Sequence, residues 1–233
     1  MADILYKYDD PTKPIASYAI FSHAFIIHKR NEHMPYCEEY DIIKKIQQNE
    51  EGYFDFSKNL IDIGAEDGNY AMLLDFNHNY CFEPNKASCC LLYANMYLKD
   101  KVYNTDVFCV GLGEKQGKAQ FNGFECEVDG TYNIGYDDVH MSEIEIKTLD
   151  SFEFENVGLI KVDVEGYEEN VLRGSIGTII RNNYPPILFE CWDAGEYRMT
   201  QEKHDSLYGF LFGLGYEIIE YWGDYETHLA IHK

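Results

Sequence analysis

The 233-residue sequence predicts an α/β fold: a mostly parallel sheet with helices on both faces and one antiparallel edge near the C-terminus. Three observations predict it. Residues 60–85 run as an apolar strand (Leu60, Ile61, Ile63), a Gly64-Ala65-Glu66-Asp67-Gly68 turn, a helix-like stretch and a second strand that ends on Glu83. Residues 157–174 repeat the theme: Leu159, Ile160 and Val162 lead to Asp163, Glu165 and Gly166 follow, and a helix turns Val171 and Leu172 inward before Gly174, its C-cap. From Leu60 onward, strand-like and helix-like segments alternate, as they do when parallel strands are joined by crossover helices.

The elements follow in order. Residues 1–15 are polar and contain Pro11 and Pro14, which predicts an extended lead. Residues 19–28 are apolar and β-branched and read as a strand. Over 36–48, Tyr40, Ile43 and Ile46 recur near helical spacing, so a helix there covers one face of the sheet. Strands are expected at 59–63, 79–83, 105–110, 157–162 and 186–190, and helices at 68–76, 86–99, 167–181 and 201–213. Segments 216–221 and 226–231, separated by Trp222-Gly223-Asp224, read as a terminal hairpin. There is no internal repeat and no low-complexity linker. The chain therefore divides into an N-terminal extension, residues 1–50, and one domain, residues 51–233. Residues 122–145 break the rhythm with Gly123, Gly130, Gly135, several acids, Tyr132, Tyr136 and His140. A long irregular insertion in a compact domain is often a lid over a site.

Charge and cysteines narrow the function classes. With 41 acidic against 19 basic residues the net charge is −22, and no basic stretch stands out. A protein that grips a phosphate backbone needs Lys and Arg to neutralise it, so nucleic acid is not the expected partner. No stretch reaches the 18 or more apolar residues of a membrane span, and the acidic first ten residues do not resemble a signal peptide. The seven cysteines (37, 81, 89, 90, 109, 126 and 191) are odd in number and form no C-x-x-C, which fits reduced thiols in a cytoplasmic protein.

The glycine turn carries the first chemical signal. Glycines let a backbone approach a ligand closely, and an acid at the second strand tip can take both hydroxyls of a ribose. A dinucleotide site wants G-x-G-x-x-G, whose middle glycine admits a pyrophosphate. Position 66 is Glu, which would push a negative side chain toward that phosphate. The pattern Asp62-x-Gly64-x-x-x-Gly68 therefore suits a ligand with an adenosine, no phosphate and a positive charge, which describes S-adenosylmethionine. Asp62 is expected to order the turn through its backbone N–H groups. Ligands of open α/β sheets sit outside the carboxyl ends of the strands, so Asp163 and Glu165 should lie beside the same ligand, with Glu190 at the neighbouring strand tip.

These residues carry a family resemblance. LIDIGAEDGNY (60–70), CFEPN (81–85), LLYANMYL (91–98), VGLGEKQGKAQF (110–121), KTLDS (147–151), IKVDVEGYEENVLRG (160–174), ILFE (187–190) and LGYEII (214–219) resemble the FkbM-type methyltransferases in order and content. The similarity spans residues 58–231. It implies a Rossmann-like class I methyltransferase fold with seven strands, S-adenosylmethionine as cofactor, and oxygen acceptors such as sugars or natural-product scaffolds. Glu66 departs from the family's usual Asn, and the first 50 residues match nothing in it.

The expected activity is thus methyl transfer from S-adenosylmethionine to a hydroxyl of a sugar, glycan or small molecule. The rivals are an NAD-dependent oxidoreductase and a non-catalytic partner subunit that keeps the fold. Expected cofactor contacts are Asp62, Gly64, Ala65, Glu66, Gly68, Tyr70, Glu83, Pro84, Asn85, Gly111 and Asp163. Asp163, Glu165, Glu190 and the lid residue His140 are the candidates for acceptor chemistry, because the acceptor's proton must leave. Asp163, Glu165, Glu190 and Asp193 together could also supply oxygens to Mg²⁺, so a divalent metal is compatible but not required. A homo-oligomer is equally compatible with the sequence.

Overall fold

The computed structural model describes residues 38–121, 126–127, 142–191, 200–220 and 227–233. The expected lead, the strand at 19–28, the hairpin turn at 222–224, His140, Asp193 and most of 122–141 lie outside the described residues. The elements run α1 (Glu38–Gln48), β1 (Asn59–Ile63), α2 (Asn69–Leu73), β2 (His78–Phe82), α3 (Lys86–Leu98), β3 (Thr105–Phe108), β4 (Gly111–Leu112), β5 (Gly117–Phe121), β6 (Cys126–Glu127), β7 (Ser142–Lys147), β8 (Val157–Val162), α4 (Glu168–Arg173), α5 (Ile176–Arg181), β9 (Ile187–Glu190), α6 (Gln201–Gly213), β10 (Tyr216–Glu220) and β11 (Thr227–His232).

Seven strands form the expected sheet, in the order β10-β11-β9-β8-β1-β2-β3. β3, β2, β1, β8 and β9 are parallel, and β11 is antiparallel to both of its neighbours. The antiparallel strand lies one place in from the edge, with β10 outside it. Leu229 and Ala230 of β11 are fully buried, one in the core on each face of the sheet. Alternate residues of each strand serve opposite faces. Leu60, Leu159 and Leu188 pack with Ile42, Ile43 and Ile46 of α1 and with Leu92 and Met96 of α3. Ile61, Ile160 and Ile187 pack with Val171, Leu172, Ile179, Leu207 and Leu211 of α4 to α6. The helix predicted at 36–48 thus does cover one face, and it shares the domain's core. No described helix is long and apolar enough to cross a membrane.

Three expectations need correction. Part of the irregular stretch at 122–145 belongs to a second sheet of order β4-β7-β5-β6. Ile144 and Ile146 of β7 alternate with exposed Glu143 and Glu145 and pack on Ala119 and Phe121 of β5. The helix expected at 167–181 is two helices, broken at Gly174. A Cβ at Gly174 would stand 2.0 Å from the carbonyl oxygen of Gly113, so the chain must bend there to pass beneath the second sheet. Asp150 then secures α5, accepting from the N–H groups of Gly177 (2.9 Å) and Thr178 (2.6 Å). Finally, Cys89 and Cys109 are joined as a disulfide, whereas Cys81 and Cys90 are free thiols. The fold brings the end of β3 against the start of α3, a proximity that the 20-residue spacing does not reveal.

Gly174→Ala should therefore cost about 1–3 kcal/mol or more in urea denaturation, because the new methyl meets backbone that cannot rotate away. Gly209→Ala, within α6 and with open space around its Cβ position, should instead add about 0.5–1 kcal/mol. Equal stabilities for the two variants would contradict this packing.

Candidate functional site

Strand register builds the site. Ile63 is level with Phe82 on one side and Val162 on the other, and Val162 is level with Phe189. The next residue of each strand therefore falls in one row at the carboxyl edge: Gly64, Glu83, Asp163 and Glu190. Backbone bonds hold the row, from Gly64 N–H to Phe82 O (3.0 Å) and from Asp163 N–H to Ile63 O (3.0 Å).

A buried lysine ties the centre of the row together. Lys161 is the register partner of Asp62. Its ammonium donates to Gly64 O (2.8 Å), lies 3.4 Å from Asp62 Oδ1 and 3.4 Å from Asp163 Oδ2, and sits 5.2 Å from the Tyr70 ring. Burial works against the ammonium, but the carboxylates of Asp163 and Asp62 outweigh it and hold the Lys161 pKa well above the usual lysine value. Burial raises the Asp62 pKa, against the pull of Lys161. Neither Asp62 oxygen has a hydrogen-bond partner among the described residues. Asp62 is thus linked to the turn through Lys161 and the Gly64 carbonyl, and the backbone N–H of Ala71 also acts on its carboxyl.

The turn glycines also allow close packing within the protein. Gly64 has φ 71°, and a Cβ there would lie 1.7 Å from the Asp163 carbonyl oxygen. Gly68 has φ 88° and faces Met96 and Leu92. The close approach that the glycines permit is that of β1 to β8 and of the turn to α3. Glu66 completes the turn in the left-handed region at φ 45°.

Two cavities flank the row. The first, of about 290 Å³, is lined by Gly64, Glu66, Glu83, Pro84, Asn85, Gly111, Asp163 and Glu165 among the residues expected from sequence. Phe121, Ile144 and Ile146 of the second sheet close it with an apolar wall. The second, of about 240 Å³, takes in Tyr70, Lys161, Asp163, Glu66 and Glu190. Asp62, Ala65 and Gly68 line neither: Asp62 and Ala65 are buried and Gly68 packs on α3.

Glu83 is the most organised acid in the first cavity. Its Oε1 accepts from Asn85 N–H (2.6 Å) and its Oε2 from Glu66 N–H (3.1 Å). Burial raises its pKa, opposed by those two bonds. Asn85 in turn caps α3, its side chain accepting from Ala87 N–H at 2.9 Å. Each Glu83 oxygen is fixed in place with capacity left for a further donor.

The loop after β8 holds the other acids. Glu165 (φ 58°) and Gly166 (φ 93°) are left-handed, so Glu165 stands on a tight bend before α4 and not in its first turn. Glu168 makes that bend: its Oε1 accepts from Val164 N–H (3.2 Å) and Gly166 N–H (3.0 Å). Burial pushes its carboxyl up to about 7 in spite of those bonds. Asp163, Glu165 and Glu190 each bring an oxygen within 4.8 Å of the others. Three hard oxygens so placed could meet a divalent cation, or share the work of accepting a proton.

Sequence reasoning missed three residues here. Lys161 and Glu168 stand inside the quoted stretch IKVDVEGYEENVLRG, where their types were visible but their burial was not. Glu39 of α1 lines the second cavity and takes a hydrogen bond from Asn69 Nδ2 (2.9 Å). Burial pushes its carboxyl up to about 7; Lys161 opposes the rise, and Asp67, Asp163 and Asp62 add to it. Nothing local marked Glu39, which lies in the part of the chain that resembles no family.

Comparison with known proteins agrees with this architecture. The methyltransferase FkbM domain matches residues 62–218. Among solved structures, a methyltransferase FkbM from Methylobacillus flagellatus KT superposes with a TM-score of 0.55 at 18% identity, over 76% of this chain and 44% of that one. The present chain thus spans less than half of that relative. A protein assigned as a caffeoyl-CoA O-methyltransferase from Staphylococcus aureus gives 0.51 at 11% identity, over 100% and 97% of the two chains. A protein assigned as an rRNA methylase from Clostridium thermocellum gives 0.50 at 9%, over 85% and 96%. At these identities the likeness shows a shared fold. No curated protein matches the chain in sequence.

Glu168 sets a pH dependence of stability. Below its ordinary value of 4.5 it is protonated whether the chain is folded or not. Between 4.5 and about 7 the unfolded chain releases the proton while the folded chain keeps it, so stability falls as pH rises through this window. Glu168→Gln keeps an acceptor for both N–H groups and removes the slope. Relative to wild type, the variant should gain on the order of 3 kcal/mol between pH ~4.5 and pH ~7.5 in denaturant titrations. A difference that stays constant across that range would refute the assignment.

Proposed function

The chain belongs to the methyltransferase FkbM domain family, and on that footing we propose that it moves a methyl group from S-adenosylmethionine to a hydroxyl oxygen of a sugar, glycan or small molecule. The first cavity carries this reading. Glu66, Glu83, Asp163 and Glu165 line it, and no Lys or Arg does among the described residues. A pyrophosphate would meet carboxylates there, which disfavours NAD. A nucleoside without phosphate and with a positive charge meets complementary groups.

S-adenosylmethionine, when bound, supplies an electrophilic methyl group on a sulfonium. The chain's own residues do the rest. Glu83 accepts hydrogen bonds from the ribose hydroxyls, its oxygens already aimed by Asn85 and Glu66. Pro84, Val110, Gly111 and Leu112, with the wall of Phe121, Ile144 and Ile146, keep water from the nucleoside. Asp163, Glu165 and Glu190 face the acceptor, and one of these carboxylates takes the hydroxyl proton as the oxygen becomes a nucleophile. Holding the acceptor in line supplies much of the acceleration, so a metal is not required. His140 remains a second candidate for the base. With 41 acids against 19 bases in the chain, an RNA acceptor is disfavoured.

Two measurements test this. Glu83→Ala should weaken binding of S-adenosylhomocysteine about tenfold or more, the loss of hydrogen bonds to a charged acceptor, while the circular dichroism spectrum stays native. Methyl-labelled S-adenosylmethionine offered to a panel of neutral sugars, glycans and phenols should label an ether oxygen. Glu165→Gln should then slow turnover about 10²–10⁴-fold and leave cofactor affinity nearly unchanged. Label that appears only on nitrogen, carbon or RNA would overturn the proposal.

A further inference from the structure

The second cavity has an unbalanced charge. Glu39, Glu66, Asp163 and Glu190 line it, against one cation, Lys161. Lys161 is already engaged by Gly64 O, Asp62 and Asp163. Glu39 takes a single hydrogen bond, from the neutral amide of Asn69, and no basic side chain pairs with it among the described residues. It is nevertheless half-buried, and burial pushes its carboxyl up to about 7. A desolvated carboxylate without a counter-ion is costly unless something positive meets it.

The helix leaves Glu39 no other place. Ile42, Ile43 and Ile46 of α1 are almost wholly buried in the core under the sheet. Residues three and four apart share a helix face, so Glu39 is one turn along from Ile42 and Ile43 on the inward side. Glu39 thereby lines the second cavity together with Lys161, Val162 and Asp163 at the end of β8. The two cavities share Glu66 and Asp163 as a common wall.

We infer that Glu39 binds the α-ammonium of the methionyl end of S-adenosylmethionine in the second cavity, which makes the N-terminal helix part of the cofactor site. The inference rests on the proposed function, which sets the adenosine of the same molecule against Glu83 in the first cavity. The methionyl end then points past Asp163 toward the second, where Glu39 holds one hydrogen bond from a neutral amide and no cation among the described residues. An ammonium offers the donors that its second oxygen can take, and the pair is charge-assisted.

Calorimetry of wild type and Glu39→Gln with two ligands tests it. S-adenosylhomocysteine carries the amino-acid end; 5′-methylthioadenosine has the same adenosine and a thioether but no amino acid. Gln keeps an acceptor for Asn69, so the fold survives, and melting temperatures verify this. Glu39→Gln should weaken S-adenosylhomocysteine about tenfold or more and change methylthioadenosine by less than about twofold. Equal weakening of both ligands, or of neither, overturns the inference while the proposed function stands. Wild-type protein that binds neither ligand would instead sink the proposed function, and this inference with it.

Discussion

A single buried cation organises this molecule's working edge. Lys161 lies between β1 and β8 with its ammonium against a carbonyl of the glycine turn and two strand-end carboxylates. A lysine so deeply buried stays charged only because Asp163 and Asp62 surround it. The reverse also holds: Asp62 is fully buried and has no other partner of opposite charge among the described residues. Loss of either member of such a group strands a charge in the interior, at a cost of about 3–5 kcal/mol. The turn at 64–68, the tip of β8 and the floor of both cavities therefore stand or fall together.

The rest of the site is layered on that centre. Register aligns Glu83, Asp163 and Glu190 with Gly64. Backbone N–H groups then aim Glu83, and Glu168 bends the loop that carries Glu165. The second sheet adds the apolar wall of the first cavity, while α1 adds an acid to the second. An excess of carboxylates over cations runs through both cavities, so electrostatics selects against phosphates and for positive charge before any shape is considered. The proposed methyl transfer from a sulfonium suits that environment and asks the protein for no covalent chemistry.

Much of this was legible in the sequence, and the failures have physical reasons. The parallel strands and their acidic ends could be read because strand, turn and helix signals are local, and register then aligns ends that begin level. The packing role of the turn was hidden because sequence shows that a side chain is excluded at Gly64 but not by what; an excluding group is the Asp163 carbonyl, about 100 residues away. Asp62 and Lys161 form a pair across neighbouring strands, which no spacing rule encodes. The second sheet was missed although Ser142–Lys147 alternates cleanly, because the glycines and acids before it outweighed a short strand. Glu39 was illegible for a stronger reason: its role depends entirely on where α1 docks.

Direct titration of the unaltered protein with S-adenosylhomocysteine and, separately, with NAD is the most direct test of the central claim, that these strand ends hold a phosphate-free nucleoside. The account predicts saturable binding of S-adenosylhomocysteine at one equivalent and no measurable heat with NAD at the same concentrations. Saturable binding of NAD with none of S-adenosylhomocysteine would contradict it.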